Sequence, residues 1–249
     1  CCSVFHCNES LGEKNSVKKA EQELKNRYES LENKYDKFLA ENYDYKANTY
    51  ETNKINLLSN PTSLYAKQPT VYYGLMYLAK NAKKEVKIHT PYIICNNYMY
   101  NELKNIKVPT TIMTNSAENN GNIFGAVDYL NHKKDIINTG VTIKEYEGGI
   151  SYHGKSMTID DDIAIVGSFH MDMRSAYIDT ELMLVINSKD INKQLKASME
   201  EYEKKAATVK NETEYSHIPE GMKMKELSDK KKNIKARFGW AMNGLRFLF

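Results

Sequence analysis

A small set of residues in this chain has side chains and spacing that suit phosphodiester chemistry. His153, Lys155 and Asp160 stand at offsets of 0, +2 and +7, and Ser168 and Glu181 follow them. Residues two apart in an extended strand share a face, so we expect His153 and Lys155 to project together. A lysine ammonium offers three donors to phosphate oxygens, and an imidazole can attack phosphorus or transfer a proton. The pattern predicts a site that handles phosphodiesters.

The remaining residues of the set are expected to support this pair. Ser168 follows a glycine at the end of an apolar run and offers a further hydroxyl donor. A histidine that attacks needs its other ring nitrogen fixed by an acceptor, and Glu181 is the candidate carboxylate. Asp160 falls in the acidic turn 160–162, where the predicted strand ends.

The pattern of the chain predicts an α/β domain that positions these residues. From residue 55, short β-like runs alternate with helical segments, which indicates a central mixed sheet flanked by helices. Predicted helices cover 70–84, 98–104, 123–137 and 191–205, and predicted strands cover 86–90, 110–113, 141–146, 150–159, 163–166 and 182–186.

Extensions are expected on both sides of this domain. Apolar residues at three- and four-residue spacing predict a helix over 16–42, whose stripe would pack on its own domain or pair in a coiled coil. The predicted organisation is therefore an N-terminal helical extension or connection at 1–54, a lobe at 55–210, and a basic, aromatic tail at 211–249. The tail would either lie in a membrane interface or close the core as a terminal helix.

Composition sets broad limits on what the chain can be. The 249 residues are 41% hydrophobic and carry a net charge of +3, and the pI is about 8.4. This mild basicity is compatible with anionic partners without requiring them. The sequence contains no apolar run long enough for a transmembrane helix.

The cysteines predict neither a metal site nor a redox compartment. Cys1, Cys2 and Cys7 cluster near His6, but no second ligand pair stands at zinc-like spacing, so no metal or cofactor is expected. Cys95 lies in an apolar run and is expected to be buried. A chain that begins with cysteine is either a fragment of a longer protein or a mature lipoprotein lipidated at Cys1.

The segment from 153 to 181 resembles the phospholipase D superfamily, whose signature is HxKxxxxD followed by GSxN. The run Gly-Ser-Phe-His-Met-Asp-Met-Arg-Ser and the later Thr-Glu look most like its cardiolipin-synthase-type bacterial branch. The resemblance covers about residues 50–205 and corresponds to the second half of a two-lobed enzyme. It implies a single phospholipase D-like lobe.

The resemblance also implies a role for each residue of the set. His153 would be the nucleophile or its acid/base partner, Lys155 would bind phosphate, and Ser168 would assist it. Glu181 would orient the histidine. Asp160 would give structural or electrostatic support.

Two departures from the family pattern bear on the mechanism. His170 replaces the asparagine of GSxN and removes an amide donor, so either a protonated imidazole substitutes as a donor to the substrate or the site is weakened. The family reaction uses two motifs, whereas this chain has one. In the run His132-Lys133-Lys134, the first and last residues have the spacing of a second motif, but Thr139 stands where aspartate should be, so we interpret the run as surface charge on a helix.

These observations predict a phosphodiesterase or phosphatidyltransferase that acts on phospholipids at a membrane surface as a peripheral protein. The second motif would come from an absent N-terminal half or from a homodimer. One alternative is a dimeric one-motif nuclease, although the low net charge and the lack of a basic stripe beside the motif argue against a nucleic-acid partner. The other alternative is an inactive half that binds anionic lipid or phosphate.

Overall fold

Two units make up the chain, residues 1–49 and residues 50–249. The computed structural model describes residues 14–39, 44–47, 49–62, 65–242, 244 and 246, with only the backbone of 34–39 and 240–242. The cysteine cluster near His6 lies outside the described residues. The domain boundaries expected at 54 and 210 remain predictions.

Within the first unit, the described element is helix α1, Asn15–Leu39. Its length agrees with the apolar spacing that predicted a helix over 16–42. The stripe residues Val17, Leu24, Tyr28 and Leu31 are between 40% and 67% exposed.

The second unit alternates strands and helices as the sequence predicts. Its helices are α2 Thr70–Lys80, α3 Asn97–Lys104, α4 Ile123–Ile137, α5 Met173–Tyr177, α6 Lys189–Glu203 and α7 Asp229–Met242. Its strands are β1 Lys54–Ser59, β2 Val86–His89, β3 Ile93–Ile94, β4 Thr110–Asn115, β5 Thr142–Tyr146, β6 Ser156–Ile159, β7 Ile163–Gly167, β8 Met171–Asp172, β9 Leu182–Asn187, β10 Ala206–Val209 and β11 Tyr215–His217.

The sheet is mixed, as the alternation indicated. Its strand order is β1-β9-β7-β6-β2-β4-β5-β10-β11, and β3 and β8 form a separate parallel pair. Strands β2, β4 and β5 are parallel because helices α3 and α4 connect them, whereas β6 and β7 form an antiparallel hairpin. The predicted strand over 150–159 is shorter than expected and begins at Ser156.

The two faces of the sheet are covered differently. One face packs on apolar residues of α2, α3 and α4, including Tyr72, Leu75 and Met99, which are at most 1% exposed. The other face lies under α6 and is rich in ion pairs, such as that of Lys196 with Glu85 at 2.7 Å. The main hydrophobic core therefore lies on the α2 side.

The described residues after 210 pack within the second unit. Strand β11 pairs with β10, and α7 contacts α4. The Lys231 ammonium is buried and donates to the carbonyl oxygens of Ala117, Glu118 and Asn120 at 2.5–3.0 Å. Apart from Arg246, the aromatic end predicted to meet a membrane has no described side chains beyond Gly239. Over the described ranges, no helix is both long and apolar enough to cross a membrane.

Candidate active site

Three neighbouring strands bring the predicted residues together. Since β6 runs antiparallel to β7, and β7 to β9, the start of β6 lies beside the end of β7 and the start of β9. His153 and Lys155 precede β6, Ser168 follows β7, and Glu181 precedes β9. The backbone amide of Ser168 donates to the carbonyl of Leu182 at 2.9 Å, which joins two of these ends.

A close backbone approach at Gly167 holds this arrangement. A Cβ atom at this position would overlap the carbonyl oxygen of Leu182 and the backbone of Met183. Only glycine therefore allows β7 and β9 to come this near. The small residue that marked the end of the predicted strand has a steric role.

His153 and Lys155 face each other, as the two-residue spacing predicted. The Lys155 ammonium lies 2.6 Å from Nδ1 of His153 and 2.7 Å from its carbonyl oxygen. Partial burial, and then the charges of Lys155 and His170, lower the pKa of His153 below its ordinary 6.5. Burial also lowers the pKa of Lys155, although Glu181 and Asp172 oppose that change. The imidazole is therefore neutral near pH 7 and carries a free lone pair once the lysine moves away.

Glu181 lies in the site but is bound to hydroxyl groups. Its buried carboxylate accepts hydrogen bonds from Ser168 Oγ and, at 2.9 Å, from Ser175 Oγ. Ser168 Oγ also accepts from the backbone amide of Leu182 at 3.0 Å. Among the described residues, Glu181 therefore hydrogen-bonds to serines rather than to the His153 ring, and its orienting role remains a prediction.

His170 lies beside His153, with 5.3 Å between the ring centroids. Its Nδ1 is 2.7 Å from Tyr92 Oη and 3.3 Å from Asp172 Oδ2. Burial, and next the charge of Asp172, raises the pKa of Tyr92 to about 12, so its hydroxyl stays protonated at physiological pH. Sequence reasoning did not select Tyr92 or Asp172 as site residues. The Asp-Met-Arg-Ser run was an available signal, since Asp172 caps α5 by accepting from the amide of Ser175 at 2.6 Å.

Asp160 is not brought together with the other residues. It lies at the opposite end of β6 from Lys155, about 16 Å along the strand at 3.3 Å per residue. Its side chain accepts hydrogen bonds from the amides of Lys83, Lys84 and Glu85 at 2.7–3.2 Å. Asp160 therefore lies apart from the candidate catalytic residues, and its contacts fit the structural support that was expected.

A buried network lies beneath the His153 segment. His89 is 1% exposed, and its ring nitrogens lie 3.3 Å from Tyr152 Oη and 3.2 Å from Glu203 Oε1. Although burial opposes the change, hydrogen bonds from His89 and Lys144 lower the pKa of Glu203 to about 2. The network anchors Tyr152, the residue directly before His153.

A matched pair of lysine variants tests the electrostatics of the site. Replacing Lys155 with glutamine should raise the pKa of His153 towards 6.5, since one of the two nearby charges that lower it is removed. The pKa should stay below the ordinary value because burial remains. NMR titration of the ring resonances measures this change, and Lys107→Gln, at an exposed loop position, is the control. Equal titration of His153 in both variants would show that Lys155 does not act on the ring.

The comparisons with known proteins agree with this geometry. A family model described as "Cardiolipin synthase, PLD-like domain" matches residues 75–202, slightly more than half of the chain. The chain belongs to this family. The match confirms the resemblance drawn from the motifs, and the PLD-like domain includes His153, Lys155, Ser168 and Glu181.

Relatives of the PLD-like domain are longer than this chain. Cardiolipin synthase 1 of Staphylococcus epidermidis is 30% identical over 159 residues, which are 63% of the chain and 32% of that relative. Cardiolipin synthase 1 of Staphylococcus aureus strain COL is 26% identical over 192 residues, 74% of the chain and 38% of the relative. The chain therefore spans about a third of the length of these curated relatives.

Solved structures support the fold of the PLD-like domain. Phosphatidylserine synthase of Haemophilus influenzae matches with a TM-score of 0.58 at 16% identity, over 87% of this chain and 53% of that one. Nuc of Salmonella typhimurium, a phospholipase D family member, matches with a TM-score of 0.50 at 15% identity, over 63% and 97%. The predicted lobe with a mixed central sheet is confirmed.

The interpretation of Lys133 as surface charge is wrong. Lys133 is 5% exposed, and its ammonium lies 2.7 Å from Glu145 Oε1. Its helix, α4, turns this side chain inward, where Glu145 also accepts from Tyr129 and Tyr215. The neighbouring Lys134 is exposed, as expected.

In the described residues, no group of three or more His, Cys, Asp or Glu side chains is arranged to hold a metal ion.

Proposed function

We propose that this chain is part of a phosphatidyltransferase or phosphodiesterase that acts on phospholipids through a covalent phosphohistidine at His153. The observation that carries the proposal is the direct contact between His153 and Lys155 at the meeting ends of three strands. A neutral nucleophile beside an ammonium suits attack on an anionic phosphodiester.

Substrate binding itself would release the nucleophile. In the structure, the Lys155 ammonium donates to Nδ1 of His153 at 2.6 Å. A phosphate group offers stronger, charged acceptors, so the ammonium would turn to the phosphate oxygens and free the lone pair. Ser168 has a single hydroxyl proton, which it donates to Glu181 in the structure, so it would turn that proton away from Glu181 to donate to the same phosphate.

A second lobe would complete the binding site, from another half of a longer protein or from a second copy. An exposed apolar surface next to Ser168 supports this part of the proposal. Ile55, Leu57, Val166 and Leu182, which we name the strand-edge patch, are between 36% and 61% exposed. The register of β1, β9 and β7 places them on one face, and Ser168 continues that face beyond Val166. Contiguous exposed apolar surface of this kind marks an interaction site.

A charge in the strand-edge patch should weaken self-association. We expect the wild type to sediment as a dimer and Leu57→Glu to dissociate at least about tenfold more readily, because burying an unpaired carboxylate costs more than about 1.4 kcal/mol. Ile218→Glu, at a 42% exposed residue near the opposite edge of the sheet, is the matched control. A dimer unaffected by Leu57→Glu would contradict this use of the patch, whereas a wild type that remains monomeric would leave another half of a longer protein as the source of the second lobe.

Peripheral attachment to the membrane is also proposed. Lys230, Lys232, Lys235 and Arg237 are exposed on α7, and Phe238 beside them is 56% exposed. Basic side chains next to an exposed aromatic ring suit a surface of anionic lipid. Lys231 takes no part, since it is buried.

The experiment for the proposed function compares three substrates. Vesicles of phosphatidylglycerol, vesicles of phosphatidylcholine and DNA are each incubated with the wild type and with His153→Ala. We expect turnover of phospholipid, none of DNA, and no turnover by the variant. DNA cleavage that depends on His153 would replace the proposal with a nuclease. A folded wild type inactive on all three would leave only lipid or phosphate binding.

A further inference from the structure

The segment that carries His153 and Lys155 has no regular secondary structure of its own. Residues 151–155 lie between β5 and β6 and belong to neither strand. The place where the two side chains meet therefore depends on other contacts of this segment. Those contacts converge on Tyr152.

A buried asparagine holds the backbone of Tyr152 at two points. Asn115, at the end of β4, is 1% exposed. Its Oδ1 atom accepts from the Tyr152 amide at 2.7 Å, and its Nδ2 atom donates to the Tyr152 carbonyl at 2.9 Å. The same side chain donates to the Pro91 carbonyl at 2.8 Å and accepts from Asn119 Nδ2 at 3.0 Å, so its two protons and two lone pairs are all used. Asn115 thus fixes the plane of the peptide bond that leads into His153.

The side chain of Tyr152 is held as well as its backbone. Its ring packs edge to face against the rings of His89, Tyr146 and Tyr202, with 4.8–5.9 Å between centroids. Its hydroxyl lies against Gly154, where a Cβ atom would overlap it. The ring therefore supports the backbone midway between the proposed nucleophile and the lysine.

The hydrogen bonds of the buried network fix the tyrosine hydroxyl. The Glu203 carboxylate can only accept, so the proton between it and His89, 3.2 Å apart, belongs to Nε2 of the ring. Burial outweighs the opposing effect of Glu203 and lowers the pKa of His89 below 6.5, so the ring is neutral at pH 7 and Nδ1 carries a lone pair. The Tyr152 hydroxyl donates to that lone pair at 3.3 Å.

We infer that Tyr152 is a positioning residue, which holds the backbone at Gly154 so that His153 and Lys155 meet. It acts through these two side chains and contacts no reacting atom itself. Its effect on turnover rests on the proposed function, whereas its effect on the pair does not.

Tyr152→Phe removes only the hydroxyl and tests this role by two measurements. NMR titration should show the pKa of His153 rising towards 6.5, because a loosened segment separates the ring from Lys155 and exposes it to water. Assays on phosphatidylglycerol vesicles should show kcat falling by about 10–10²-fold, since a small displacement of a reacting group is enough for such a loss. Asn115→Ala, which frees the backbone of the same tyrosine, should produce both changes.

Tyr202→Phe is the matched control, since it removes a hydroxyl from the same ring cluster at a 42% exposed residue. It should leave the His153 titration and kcat unchanged. Equal effects of Tyr152→Phe and Tyr202→Phe would show that the cluster only stabilises the fold. An unchanged His153 titration or an unchanged kcat in Tyr152→Phe would overturn the inference. A wild type that turns over no phospholipid would refute the proposed function, whereas the titration would still decide whether Tyr152 positions the pair.

Discussion

Replacing His153 with alanine is expected to reduce phospholipid turnover by about 10⁴–10⁶-fold, the range found when a covalent nucleophile is removed. The reason is that no other imidazole is placed to take over. His170 is committed through Nδ1 to Tyr92 and Asp172, and His89 is buried at 1% exposure. Turnover of phosphatidylglycerol by wild type and variant measures the loss. Acid-labile covalent ³²P labelling from labelled lipid should disappear with it.

The His153 ring is exposed, so its loss should leave the fold intact. The circular dichroism spectrum and the thermal unfolding temperature of His153→Ala should differ from those of the wild type by no more than those of His217→Ala do. His217→Ala is the control at another exposed histidine. Lipid turnover or covalent labelling that survives in His153→Ala would show that the nucleophile is a different residue.

Replacing Lys133 with methionine is expected to destabilise the second unit by about 3–5 kcal/mol, because it leaves a buried carboxylate without its cation. Lys133 and Glu145 side chains are only 6% and 4% exposed, and their ion pair is 2.7 Å long. The hydroxyls of Tyr129 and Tyr215 donate to the same carboxylate but cannot neutralise its charge. Urea unfolding at pH 7 measures the change in the free energy of unfolding.

The adjacent exposed lysine provides the control for this prediction. Lys134→Met should alter stability by less than about 0.5 kcal/mol, as surface substitutions usually do. Adding Glu145→Gln to Lys133→Met should recover part of the loss, since the unpaired charge is then removed. Equal stability of the Lys133→Met and Lys134→Met variants would contradict the burial of this ion pair.

Much of the fold could be predicted because its signals are local. Helices α2, α4 and α6 and strands β2, β4 and β5 follow from apolar periodicity and from glycine or proline at their ends. Short elements such as β3, β8 and β11 carry too few residues for any period to appear. They form because a neighbouring strand supplies their hydrogen bonds, which is information that lies elsewhere in the chain.

The same distinction between local and long-range information applies to the residues of the candidate site. That His153 and Lys155 face each other could be predicted, because residues two apart share a face in any extended backbone. The serine partners of Glu181 could not, since they depend on the register between β7 and β9. The place of Asp160 depends in turn on the backbone at residues 83–85, which lies far away in sequence.

By itself, the sequence determined the family, the alternating α/β fold and the set of groups able to handle a phosphodiester. These follow from residue types and spacings along a continuous stretch of chain. The tertiary structure alone decided that Lys133 is buried and that Asp160 supports a distant loop. It also decided that the His170 ring lies against the His153 ring, with Asp172 beside its Nδ1 atom. Each of these depends on which side chains folding brings together across strands and helices, and sequence separation does not encode such distances.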